Sequence, residues 1–494
     1  MDGSLKDGNV DQDYFRVISQ PGKLALLEAL TQARHSRAER LAAGQALRQQ
    51  APRGSHSEYR PSADRLSPIE RIEIQNASLL PKLVGLRMAR MSATPFAFLR
   101  GTAAVMAADL AATPATGLQV MACGDMHLAN FGLFASAERN LVFGINDFDE
   151  VHPGAWEWDL KRLAASAAVA VTFAGGDRVH AEGAARAAVQ SYIRQIRRYS
   201  EMGFLETWYD LIDGQDILHA LPPGRTMKNA VAALAKARGR DRHKSFEQLA
   251  ETVAGQRRII EQLPLVVRET HLPDGRPVIE ALEGILRSYL RSLPQDRTRL
   301  LSRYRVVDVA RKVVGVGSVG TSCWIVLMEG LDVGDPLLLQ VKEAGDSVLA
   351  PYATAALPIK NQGQRVVFGQ RMIQGSPDIF LGWGPEDGGK GRDFYVRQLA
   401  DMKGGRKFIE GDRETLDGLE AYCGLCGRAL ALAHAKSGDP ATIAGYCGSS
   451  DALPDAIGEF AIAYAEQTER DHGDLVAAIR QGRLPASEEA SQLM

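Results

Sequence analysis

Between Tyr304 and Gly345 the chain changes character, and this change constrains its architecture more than any other feature. Helix-patterned sequence lies on both sides. Within the interval, short Val-rich runs alternate with glycines: V-V-G-V-G-S-V-G-T, C-W-I-V-L-M and L-L-L-Q-V-K-E-A. β-Branched residues in short runs bounded by glycine favour strands joined by tight turns, so an antiparallel sheet is expected. Strand-like Phe394 to Leu399 adds to it, and a helix is expected near Gln362 to Gln374. A sheet set between helical tracts makes the chain α+β. With 494 residues it is too long for one compact core. We divide it into four parts: a loosely packed helical arm at 1–64, partly disordered at its start; a mainly helical lobe at 65–303; a β lobe at 304–410; and a C-terminal helical region at 411–494 that packs on the helical lobe.

The densest chemistry lies in that helical lobe, in C-G-D-M-H-L-A-N-F-G, then I-N-D-F-D-E, then W-E-W-D-L-K-R-L-A, over residues 123–164. Leu118 to Ala122 and Leu141 to Ile145 read as short strands that deliver the two acidic loops. Asp125 and Asn130 are five positions apart, and Asp147 follows the second strand. That is the spacing D-x-x-x-x-N…D of kinase-type phosphoryl transfer. In that chemistry one carboxylate takes the proton of an attacking hydroxyl, while an amide and a second carboxylate hold Mg²⁺ on the phosphates. Asp125 is the candidate base, and Asn130 and Asp147 are candidate metal ligands. Asp149 and Glu150 extend the acidic patch as a further metal or cation site, or as solvated turn residues. His127 is either a proton relay or, beside Asp125, a residue that positions the loop. Asp159 opens an otherwise apolar helix, where a carboxylate accepts from backbone N–H groups, so it is expected to support the loop.

Gly315-Val-Gly-Ser-Val-Gly320 is a G-x-G-x-x-G. A dinucleotide-binding reading requires a helix next, but Thr321 to Met328 is β-branched and apolar, which favours a strand. A strand, a glycine loop and a second strand instead place backbone over nucleotide phosphates. Gly315, Gly317, Ser318 and Gly320 are therefore candidate nucleotide contacts. Lys342, in L-Q-V-K-E on the next strand, is the candidate lysine for the α- and β-phosphates. The alternative for Lys342 is a surface position on an edge strand. Cys423-Gly-Leu-Cys426 falls on a stripe with Leu416, Leu419 and Leu430, so both cysteines are expected in the core rather than on a metal.

Formal charge is −2, so no global field draws the chain to nucleic acid or an anionic membrane. No apolar run approaches the ~20 residues that span a bilayer. The N-terminus lacks the basic start and apolar stretch of a signal peptide. Five cysteines suit a reducing compartment, and a cytoplasmic protein is expected. The basic run Lys236 to Lys244 reads as a solvated loop or a substrate-facing one.

At G-D-M-H-L-A-N and N-D-F-D-E the chain resembles the aminoglycoside-phosphotransferase and protein-kinase-like superfamily, where G-D-x-H-x-x-N and a downstream D-F-[DE] recur. With W-D-L-K-R-L-A, F-L-R-G (Phe98 to Gly101), G-Q-R (Gly369 to Arg371) and D-M-K-G (Asp401 to Gly404), it more closely resembles the bacterial family called domain of unknown function 2252, from about Arg60 to Asp471. The resemblance implies a two-lobe, kinase-like fold in circularly permuted order, because Asp125 precedes the glycine loop and Lys342. It also implies ATP and Mg²⁺ as cofactors and a small-molecule hydroxyl as acceptor. Two departures bear on this. Cys123 stands where a histidine usually opens the catalytic loop. Ala344 to Pro385 contains no Glu to pair with the lysine, leaving Gln364, Gln370 or Glu343. A nucleotide-binding regulatory protein without turnover and a nucleotidyl (AMP) transferase are the alternatives. A metallophosphoesterase also opens with D-x-H, but it needs a G-N-H that this chain lacks.

Overall fold

The computed structural model describes residues 31, 35–219, 221, 224–239, 242–253, 255–272, 275–331, 334–355, 357–386, 391–399, 404–406, 408, 411, 416 and 418–487. The start of the arm, residues 401–403 of D-M-K-G and the central part of the basic run lie outside the described residues.

The architecture is α+β, with helices gathered into one body and small antiparallel sheets. In the labels used here α1 is Arg37–Ala46, α2 Pro68–Asn76, α3 Pro81–Ser92, α4 Pro95–Gly101, α5 Ala103–Ala111, α6 Trp156–Phe173 and α7 Arg178–Glu201. Further along, α8 is Val278–Ser292, α9 Gln362–Ile373, α10 Leu419–Ser437, α11 Pro440–Cys447 and α12 Ala452–Arg480. Every residue of α6 from Trp156 to Val171 is buried, including the charged Glu157, Asp159, Lys161 and Arg162 of its first two turns. Helices α7 and α12 pack on α6, and α10 lies along α7, so the C-terminal helices complete the body. Cys423 and Cys426 sit fully buried and unpaired on α10, as the stripe implied.

Two helical tracts are more broken than their patterns suggest. The tract from Ser67 through Leu86 splits into α2 and α3, because Pro81 opens a new helix and the Leu80 N–H bonds the Gly320 carbonyl at 2.8 Å. Phe96 to Leu110 splits into α4 and α5 at Thr102, whose hydroxyl bonds back to the Phe98 carbonyl at 2.8 Å. The described part of the arm also differs from expectation, since it is not loosely packed. Helix α1 lies on α11 at backbone contact: a Cβ on Gly44 would meet the Thr442 carbonyl at 2.0 Å, and one on Gly445 the Leu41 carbonyl at 2.2 Å. His56 follows, fully buried, with Nε2 2.6 Å from the Tyr446 hydroxyl. The partners lie some four hundred residues away, so local composition could not announce them.

Thirteen strands are described: β1 Gln119–Ala122, β2 Phe131–Ala135, β3 Leu141–Ile145, β4 His152–Ala155, β5 Ile212–Asp213, β6 Ala250–Val253, β7 Gln256–Ile259, β8 Val266–Val267, β9 Arg305–Lys312, β10 Cys323–Glu329, β11 Pro336–Ala344, β12 Gly382–Pro385 and β13 Asp393–Gln398. The largest sheet has the order β12-β13-β11-β10-β9-β8 and is antiparallel throughout. It is the sheet expected over 304–345, with β13 where Phe394 to Leu399 predicts a strand, extended by β8 and β12. Side chains alternate between its faces. Trp324, Val326, Leu339, Val341, Phe394 and Val396 pack on Leu282, Ile285 and Tyr289 of α8. Ile325, Leu327 and Leu338 pack on the opposite side with Phe246, Ala250 and Ile259. Near the β10–β11–β13 end that second face turns polar, because Gln340 and Lys342 alternate with Leu339 and Val341, and Arg397 and Tyr395 stand opposite them.

Candidate active site

Two hairpin-like pairings set the acidic loops side by side. Strand β1 pairs with β4, Ala122 opposite His152, and β2 pairs with β3, Phe131 opposite Ile145. Residues 123–130 leave β1 and enter β2, while residues 146–151 leave β3 and enter β4. The two segments therefore run together, tied by the Asn146 N–H on the Asn130 carbonyl at 2.9 Å. Gly124 turns the first loop at φ 76°, a left-handed conformation that favours glycine. Asp159 of α6 accepts from the N–H of Cys123 at 2.6 Å and of Gly124 at 2.9 Å. Buried, it fixes the start of the loop, and His434 Nε2 lies 3.3 Å behind it.

Asp125 projects from this loop with about 20% of its side chain exposed. Arg162, one turn beyond Asp159 on α6, donates Nε to Oδ1 at 2.9 Å and a terminal nitrogen to the same oxygen. Burial raises the Asp125 pKa, but the charge and hydrogen bonds of Arg162, together with His127 and Arg100, hold the carboxyl below its ordinary value. Oδ2 is more loosely flanked, with His127 Nε2 at 3.6 Å and Asn130 Nδ2 at 3.4 Å. Burial pushes the His127 imidazole down to about 3, so it is neutral at ordinary pH and suited to positioning rather than to carrying a proton. The Asn130 amide nitrogen donates to the Asp125 carbonyl at 2.7 Å, which leaves its Oδ1 as a hard oxygen donor.

The second loop meets the sheet. Lys342 donates to Asp149 Oδ2 and, at 2.9 Å, to Ser318 Oγ. Ser318 Oγ lies 3.3 Å from the same carboxylate oxygen, and the Tyr395 hydroxyl donates to Asp149 Oδ1 at 2.8 Å. Lys342 and Tyr395 are register partners on β11 and β13, so one rung of the sheet grips this carboxylate. Lys342 is nearly buried, with 4% of its side chain exposed, and is not on a surface edge strand. Burial opposes both charges, yet their attraction prevails: Lys342 is held well above and Asp149 below its ordinary value. The carboxylate partner of the lysine is thus Asp149, in place of Gln364, Gln370 or Glu343. Asp147 lacks such a cation. Burial, then the Asp149 charge, raises its pKa against the opposing pull of Lys342 and Arg397. Its Oδ1 accepts the Asp149 N–H at 3.2 Å.

Helix α9 braces the loop from behind. Arg365 donates to the carbonyls of Val151 at 2.6 Å, Asp149 at 2.9 Å and Gly345 at 2.8 Å. Glu150 accepts the Val348 N–H at 2.8 Å, and burial pushes its carboxyl up to about 7. In the glycine loop, Gly315 and Gly320 take positive φ of 67° and 105°, and Arg90 of α3 holds the Gly315 carbonyl at 2.6 Å. Of the expected residues, the structure brings together Asp125, His127 and Asn130 in one loop. It joins Asp149, Ser318 and Lys342 in one hydrogen-bonded cluster beside Asp147. Gly317 rests against α4 instead. Among the described residues no three His, Cys, Asp or Glu side chains are arranged to hold a metal by themselves.

Arg162, Tyr395, Arg397 and Arg365 were not among the sequence candidates. Arg162 carried a readable signal, since it stands three residues after Asp159 in W-D-L-K-R-L and must share that helix face. Tyr395 and Arg397 carried only strand alternation, which gives a face but not what the face meets.

These features define an α+β protein in which an antiparallel sheet lies across paired acidic loops of a helical body. Residues 79–478 match the family described as an uncharacterized protein conserved in bacteria, DUF2252, and the chain belongs to that family. No curated protein matches the chain, and no solved structure does. No described helix is long and apolar enough to cross a membrane.

Proposed function

We propose that this chain is an ATP- and Mg²⁺-dependent phosphotransferase with a kinase-like, circularly permuted arrangement of lobes, acting on a hydroxyl of a small molecule. One observation carries the reading: Lys342 and Ser318 of the sheet meet Asp149, two residues after Asp147, at a sequence separation of 193 in the case of the lysine. A strand lysine, a glycine loop, a D-x-x-x-x-N loop and a following aspartate are the parts that phosphoryl transfer uses, and they converge on one site.

The donor set fits Mg²⁺. Asn130 Oδ1 and Asp147 are hard oxygens, and burial and repulsion by Asp149 and Asp125 act on Asp147 more than Lys342 and Arg397 offset, so a divalent ion would relieve that repulsion. Bound there with phosphate oxygens completing its shell, Mg²⁺ would neutralise charge on the phosphates. Asp149 serves as the partner that fixes Lys342, and Lys342 and the 315–320 backbone hold the nucleotide phosphates. Asp125 takes the acceptor proton as the acceptor oxygen bonds the terminal phosphorus and the nucleoside diphosphate leaves with the electron pair. His127 and Arg162 orient Asp125 for that step.

A second reading, nucleotide binding without turnover, is favoured by Arg162. Two of its nitrogens on one Asp125 oxygen make that carboxylate a weaker base. Calorimetric titration with ATP and ADP, with and without Mg²⁺, followed by a phosphorylation screen of a metabolite pool, separates the two. Mg²⁺-dependent binding with phosphorylated product supports transfer, binding alone supports the regulatory reading, and no nucleotide binding sinks both.

A further inference from the structure

Besides Arg365, which braces the second loop, four cations lie at the paired loops among the described residues, and three have evident partners. Lys342 is on Asp149, and Arg162 is on Asp125. Arg397 donates to Gln340 Oε1 at 2.9 Å and to the Asn146 carbonyl at 3.3 Å. The fourth, Arg100 in F-L-R-G at the end of α4, differs. Its Nε is buried with no hydrogen-bond partner, and among the described residues no carboxylate pairs with its guanidinium. Asp125 and Asp147 are near enough to act on its charge without pairing with it, and Arg90 repels it. The residue is partly buried, and a guanidinium held there without a carboxylate partner favours an anion beside it.

The backbone of α4 places this residue at the junction of the two halves. The Leu99 carbonyl accepts from Arg162, the residue that fixes Asp125, at 2.9 Å. The Arg100 carbonyl lies against the glycine loop so closely that a Cβ on Gly317 would come within 3.0 Å of it. Arg100 therefore stands where the glycine loop approaches the Asp125 loop, between the phosphate-covering backbone and the proposed base. A guanidinium presents a rigid fork of donors that matches two oxygens of a phosphoryl group.

We propose that Arg100 is the oxyanion-binding residue of the cleft, contacting the terminal phosphoryl group of a nucleoside triphosphate and neutralising its charge during transfer. The assignment to a nucleotide rests on the phosphotransferase reading, whereas the oxyanion site itself does not. Gln and Lys substitutions at Arg100 are compared with the wild type by calorimetric titration of Mg²⁺-ATP, Mg²⁺-ADP and pyrophosphate, with melting curves beside them. R100Q is expected to lose about tenfold or more in affinity for ATP and pyrophosphate while ADP affinity stays within about twofold. R100K, which keeps the charge but not the fork, should recover part of the loss, and it is the variant read if R100Q folds poorly. Unchanged ATP-to-ADP discrimination and pyrophosphate affinity in the variants overturn the role of Arg100 and leave the phosphotransferase reading standing. Pyrophosphate binding that is lost in R100Q, in a wild type that binds neither nucleotide, keeps the oxyanion site and sinks the nucleotide assignment. A wild type that binds none of the three ligands overturns both.

Discussion

The two acidic loops hold their carboxylates by the same device at very different range. Asp125 is held by Arg162, 37 residues away on the helix that packs beneath its own loop. Asp149 is held by Lys342, 193 residues away on a separate sheet. The first pair belongs to one body and stays formed whatever the sheet does. The second exists only when the sheet lies over the body, so it ties the proposed nucleotide-binding geometry to the packing of the lobes. Between them Asp147 has neither, which is what a site for an added cation requires.

The largest expected contrast lies between Asp147 and Asp125. Asp147→Ala should abolish Mg²⁺-dependent ATP binding in calorimetry. Asp125→Ala should still bind ATP while turnover falls ~10²–10⁴-fold, the usual worth of a general base. Equal loss of binding in both variants would break the division of roles.

Arg162→Met removes the cation of the local pair and leaves Asp125 uncompensated, at a cost of about 3–5 kcal/mol in denaturant unfolding. Pairing it with Asp125→Asn should restore much of the loss, and an unaltered midpoint in the single variant would show that the short-range pair is dispensable.

For the long-range pair we expect less, because Asp149 keeps the Tyr395 hydroxyl as a partner. Lys342→Met should weaken ATP binding and also cost about 1–3 kcal/mol of stability, part of it recovered on adding Asp149→Asn. Lys342 is thus not the surface lysine on an edge strand that the sequence left as an alternative. An additive cycle between the two substitutions would mean that the sheet and the loop are not coupled.

The smallest effect concerns Glu150. Its carboxyl, raised from 4.5 to about 7, binds its proton more tightly in the folded chain than in the unfolded one. Its contribution is therefore full below pH 4.5 and is lost as pH rises through about 7, on the order of 1–3 kcal/mol. Melting curves of the wild type should fall across that window relative to those of Glu150→Gln, and parallel curves would remove Glu150 as the cause.

Much of this was legible beforehand. Strand β3 and helix α9 lie where their patterns put them, since alternation and helical period are local properties. Asp159 was readable as loop support, because a carboxylate at the start of an apolar helix has backbone N–H groups as its natural partners. The packed arm was not readable, because Gly44 and Gly445 are informative only as a pair. The breaks at Leu80 and Thr102 were also missed; the first is fixed by the carbonyl of Gly320, far away in sequence.

By itself the sequence determined the α+β class, the two loops carrying Asp125 with Asn130 and Asp147, and the strand carrying Lys342, since each rests on residues within a few turns or rungs of one another. Only the tertiary structure decided that Asp149 is the partner of Lys342, that Arg162 restrains Asp125, and that Arg100 has no carboxylate paired with it among the described residues. Pairing of charges depends on distance through space and on burial, and a buried ion takes whichever opposite charge the packing brings within reach.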